Sequence, residues 1–227
     1  TLCPAARPPV AHTAIVVDRT DPLAPHHLDR LRRAVARARA DLPVHGRLTV
    51  HRLTADPAAI VTPLFDMCHP GDGADADPLT ANPRRLRQRY ETRFQQPLAA
   101  VVAGFETARD APRSPILESL AAFARATGGT PAPRRIVLVS DLLQNTRSLS
   151  LYRDPPDVDA ALSADGGRRV AAAGLAGTTV ELVDLQRRDR AGRDADTRLC
   201  FWRELLARVG ADVVLTQPLR CRPDEPP

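Results

Sequence analysis

The chain has 227 residues, 43% of them hydrophobic and 26% charged, which is enough for one α/β domain with a sizeable core. Its formal charge is +5, and all 32 basic residues are arginines. No apolar run approaches the roughly 20 residues of a membrane span, and arginine and aspartate are interleaved along most of the chain, which gives phosphate or nucleic-acid binding only weak support.

The chain begins at Thr1 without a methionine, which suits removal of an upstream segment. Residues 1–10 include the Pro-rich "CPAARPPV" and read as a tether, favouring an exported or membrane-anchored parent. The run "TAIVVD" (13–18) reads as a fully buried strand. It ends in unusually dense side-chain oxygen: Asp18, Thr20 and Asp21. In "HLDRLRRAVARARA" (27–40), Leu28, Leu31, Val35 and Ala38 recur at helical spacing. "GRLTVHRL" (46–53) alternates as a strand, and "AAIVTPLF" (58–65) is its expected hairpin partner, at an edge because of Pro63. Residues 66–83 read as a long loop rich in Gly, Pro and Asp.

Asn82 and Pro83 then open a helix that Pro97 should break or kink. Its start, "RRLRQRYETRF" (84–94), sets arginines beside Tyr90 and Phe94. Such a face suits nucleic acid or an acidic partner, and it equally suits a solvated flank over a packed aromatic pair. Ser114-Pro115 opens another helix by the same cap logic. "RRIVLVSD" (134–141) and "TTVELVDL" (178–185) read as buried strands, each with an aspartate at its end. A short helix (165–176), an amphipathic helix (196–210) and a last strand (211–218) complete the chain. Strands and helices alternate throughout, so we expect one doubly wound, mostly parallel sheet with helices on both faces. The expected division is a tether (1–10), a single α/β domain (11–218) and a C-terminal tail (219–227).

Cys3, Cys68, Cys200 and Cys221 have no zinc-site spacing. Their even number suits one or two disulfides, while unpaired thiols are the commoner state of a cytosolic chain. His26, His27 and His69 lack ligand spacing and read as solvated loop residues. No G-x-S-x-G elbow and no phosphate-binding glycine loop is present.

In open α/β sheets, ligands bind beyond the carboxyl ends of the strands, where Asp18, Asp141 and Asp184 belong. Clustered carboxylates with nearby hydroxyls suit a hard divalent cation, although each aspartate can equally cap the helix that follows its strand. The order strand-D-x-T, hairpin, helix opening with Ser-Pro, strand-S-D resembles a von Willebrand factor A (VWA) domain. Asp18 and Thr20 match the first two positions of that family's D-x-S-x-S metal motif; Ser114 matches its loop threonine and Asp141 the aspartate after its fourth strand. Pro22 stands where the motif has its second serine, and Leu142 where a glycine usually follows the aspartate.

The resemblance implies a non-enzymatic protein-binding module. It would have a weak or lost magnesium site at Asp18, Thr20, Ser114 and Asp141, and partner contacts at Asp21, Tyr152 and Arg153. The competing readings are a metal-dependent nuclease or phosphatase using the strand-end aspartates, and nucleic-acid binding through arginine.

Overall fold

The computed structural model describes residues 3, 8–74, 81–107, 111–128, 133–152, 157–186, 195–216 and 221. One six-stranded sheet forms the centre, built from β1 (His12–Asp18), β2 (Arg47–Leu53), β3 (Phe65–Cys68), β4 (Arg134–Ser140), β5 (Thr178–Asp184) and β6 (Asp212–Leu215). Their spatial order is β3-β2-β1-β4-β5-β6. All neighbours are parallel except the β2–β3 hairpin.

Both faces are covered, which explains why the central strands read as unbroken apolar runs. Ala14, Val16, Ile136, Leu138, Val180 and Leu182 point to one face, and pack under α4 (Ile116–Thr127), α5 (Val158–Ser163), α6 (Asp165–Ala173) and α7 (Ala195–Arg208). Ile15, Val17, Val137, Val139 and Val183 point to the other, beneath α1 (Pro25–Ala40) and α3 (Gln96–Ala103). The expected doubly wound fold is therefore the observed one. No helix among the described residues is long and apolar enough to cross a membrane.

Several local expectations change. Residues Pro57–Val61 form a short 3-10 turn, capped by Asp56 through its bond from the Ala58 amide, so the hairpin partner of β2 is Phe65–Cys68 instead. Pro97 neither breaks nor sharply ends its helix. Instead α2 (Pro83–Tyr90) widens into a π turn over Glu91–Gln95, in which the Gln96 amide reaches back to Glu91, and α3 continues beyond. The wider turn accommodates a residue that cannot donate to the turn behind it, and it buries Phe94. Helix α5 was not expected at all.

All four cysteines pair: Cys3 with Cys68 at the end of β3, and Cys200 in α7 with Cys221 beyond β6. His27 and His69 are buried rather than solvated. His27 accepts the Ala24 amide at the start of α1 and meets the Gln186 carbonyl, whereas His69 packs against the rings of Tyr90 and Phe94.

Candidate functional site at the β1–β4 switch

The direction of winding reverses between β1 and β4, the place where open α/β sheets leave a crevice at their carboxyl edge. Asp18 ends β1, and Ser140 ends β4 beside it. The Asp18 carboxylate is buried and acts as the hub of the rim. Its Oδ1 accepts the Thr20 amide at 3.0 Å and the Thr20 hydroxyl at 2.7 Å. Its Oδ2 accepts the Ser140 hydroxyl at 2.7 Å and the Ser114 hydroxyl at 3.4 Å. A carboxylate has about four acceptor sites, so these donors nearly saturate it.

Ser114 was expected to cap α4, but that helix starts from Pro115 without a side-chain cap from either residue. The Ser114 hydroxyl turns to Asp18 instead, while its backbone pairs with Asn145 in a two-bond bridge. Gln144 takes over the capping: its Oε1 accepts the Leu117 amide and its Nε2 donates to Glu118. Three chain segments, after β1, before α4 and after β4, are thereby tied to one carboxylate.

Asp141 follows directly after Ser140, and its Oδ1 accepts the Leu143 amide at 3.0 Å. Between them Leu142 takes φ = 60°, a left-handed conformation that a side chain rarely adopts. It is held there from three sides. Its amide donates to the Ser140 hydroxyl, its carbonyl accepts the Trp202 indole N–H at 2.9 Å, and its side chain is fully buried. The backbone here is the left-handed one that glycine adopts most readily.

Asp184, the third strand-end aspartate, is committed elsewhere. Both its oxygens accept from Arg198 of α7, at 3.2 and 3.3 Å. Burial pushes the Asp184 carboxyl above the usual carboxylate range; Arg198 and Arg30 oppose that push, and nearby Asp141 adds to it. Asp21 is buried next to the rim, and Pro22 is exposed. Tyr152 lies in the loop after β4 with 41% of its surface exposed. Arg153 lies outside the described residues.

Sequence reasoning missed Ser140 and Gln144 as parts of the rim. Ser140 reads as an ordinary strand residue, and its only signal is its position beside a strand-end aspartate. Gln144 carries no signal in the sequence.

No family model matches the chain, and no curated protein matches it. The rim must be judged on its own donors. Asp18, Thr20, Ser114, Ser140 and Asp141 supply only hard oxygen, the chemistry that suits magnesium. Among the described residues no group of three or more His, Cys, Asp or Glu side chains could hold an ion, so any cation would lean on hydroxyls.

Proposed function

We propose that this chain is a VWA-like, non-enzymatic protein-binding module whose partner docks at the carboxyl edge of the sheet, over the rim at β1 and β4. The observation that carries this reading is the convergence of Thr20, Ser114 and Ser140 on Asp18 at the winding switch. Asp18, Thr20, Ser114 and Asp141 would hold a magnesium ion. When bound, such an ion would offer an open position to a partner carboxylate. That site is weak or lost. Pro22 brings no side-chain oxygen, and the Asp18 lone pairs already have four donors. Asp21, Tyr152 and Arg153 flank the docking edge in this reading.

The competing hydrolase reading is less well supported. A two-metal site needs carboxylates that flank two ions about 4 Å apart, and Asp184 is bound to Arg198.

Two measurements test the proposal. Magnesium titration by calorimetry should give a dissociation constant on the order of millimolar or weaker, given the missing ligand. A photo-crosslinker at position 152 of the full chain should capture a protein that the folded Asp18→Ala variant does not. Hydrolysis of single-stranded DNA, RNA or a phosphomonoester, lost in folded Asp18→Asn and Asp141→Asn variants, would overturn the proposal in favour of the hydrolase.

A further inference from the structure

Among the described residues, many arginines find carboxylates: Arg32 with Glu106, Arg37 with Glu181, Arg47 with Asp66 and Arg198 with Asp184. Others form no ion pair among the described residues, and helix α2 with the π turn after it holds their densest run. Arg84, Arg85, Arg87, Arg89 and Arg93 fall within ten residues whose only acid is Glu91. All five are exposed, and none forms an ion pair among the described residues. At about 100° per residue, the four arginines of α2 spread over roughly 200°, opposite the side that carries Leu86 and Tyr90.

The helix buries none of its residues, so its arginines serve no packing role. Arg85, Arg89 and Arg93, one turn apart in succession, line an open concavity of about 530 Å³ together with Gln88 and Thr92. Guanidinium groups in such a row match phosphate oxygens through paired N–H donors.

We propose that this arginine face docks onto anionic phospholipid headgroups. Two observations favour lipid over nucleic acid. First, proteins that bind single strands stack bases on exposed aromatic rings interleaved with the basic residues. Here the neighbouring aromatics turn inward: Phe94 is fully buried, and Tyr90 stacks on Phe94 and meets His69. Tyr90, although partly exposed, lies on the opposite side of the helix, so the arginine face itself carries no ring. Second, both cysteine pairs are closed as disulfides, the state of compartments other than the cytosol and nucleus, where most nucleic acid is held. The placement agrees. Cys68, which is bonded to Cys3, immediately precedes His69, whose ring lies 5.0 Å from that of Tyr90 on this helix. The Cys3–Cys68 link therefore lies on the flank that carries the arginines.

The test is flotation of the full chain with vesicles of phosphatidylcholine and phosphatidylglycerol (7:3), beside pure phosphatidylcholine vesicles and a 20-nucleotide single-stranded RNA. We expect binding to the phosphatidylglycerol vesicles alone, weakened by 0.5 M salt. Each basic residue near an anionic surface is worth about 1 kcal/mol, or roughly fivefold. The Arg85→Gln, Arg89→Gln, Arg93→Gln triple variant should therefore bind about a hundredfold more weakly. A second triple variant, Arg113→Gln, Arg125→Gln, Arg147→Gln, removes the same charge from a second arginine-lined concavity, of about 500 Å³, and should bind as the parent does. Thermal melts confirm that each variant folds. The proposal is overturned by absence of vesicle binding, by equal loss in both triple variants, or by tighter binding to the RNA than to the vesicles.

Discussion

Replacing Asp18 by alanine tests whether the rim is held together by its central carboxylate. The substitution removes the acceptor of four hydrogen bonds in a place closed to water. Hydrogen bonds to a charged group contribute about 1.5–3 kcal/mol each, and a buried donor left without a partner costs about 1–3 kcal/mol. Two effects reduce the total. A buried carboxylate carries a desolvation penalty of several kcal/mol that the variant no longer bears. The freed hydroxyls can also rotate towards one another. With one or two donors stranded, the net loss is about 3 kcal/mol. For a domain of this size that lowers Tm by roughly 6–12 °C. Asp18→Asn keeps the shape and one acceptor oxygen, and should cost about half as much. Thermal denaturation of the oxidised protein, with far-UV circular dichroism as the readout, measures both. A Tm that stays within 2 °C or rises would show that the donors do not hold this carboxylate in place. The rim would then be a strained arrangement kept for a ligand.

Three further outcomes follow from groups outside the rim. His12 and His51 are buried and neutral, with burial the chief cause lowering each to about 4. The unfolded chain takes up protons near 6.5 and the folded one does not, so stability should fall by about 3 kcal/mol per histidine as pH drops from 6.5 to 4, and then level off in this respect; denaturant melts across that range check it, and a flat profile would show that the rings are hydrated. Arg198→Met strands Asp184 in the core and should cost about 3–5 kcal/mol at pH 7. Because Asp184 can then escape by protonation, the loss should shrink as pH falls towards 4, and Asp184→Asn in the same chain should recover most of it. Non-reducing mass spectrometry should find no free thiols; reduction should destabilise the domain by about 4 kcal/mol for the pair 65 residues apart and about 3 kcal/mol for the pair 21 apart, on a chain-entropy estimate.

The parts of the fold legible in the sequence were those with long buried runs. "TAIVVD", "RRIVLVSD" and "TTVELVDL" can only be central strands, because both faces of each are covered. The third strand was misplaced because Ile60 and Val61 look like strand residues, whereas the Ala58 amide donates to the Asp56 carboxylate and winds them into a turn before Pro63. At the site, Asp18 and Thr20 were visible as oxygen at the end of an apolar strand. The Ser-Pro pair was not decisive: a serine before proline caps a helix in most settings, and only the nearness of Asp18 in three dimensions draws the hydroxyl away. The cysteine pairing could not be read either, since spacing along the chain says nothing about which strand edges the thiols reach.

Those two covalent links also decide how the domain would carry tension. Cys3 joins Cys68, so a pull entering from the N-terminal side passes through sulfur to the end of β3 and bypasses β1, α1 and β2. Cys200 joins Cys221, so a pull from the other side passes directly into α7 and bypasses β6. Only the stretch from Cys68 to Cys200 bears the load. At about 3.5 Å per residue, the two shielded loops hold back roughly 300 Å of contour length. In force spectroscopy the oxidised domain should give up that length only after reductant is added. Asp18 sits within the first shielded loop, while Ser114 and Ser140 sit on the loaded path. Stretching would therefore part the rim before it unravelled the strand that carries its carboxylate.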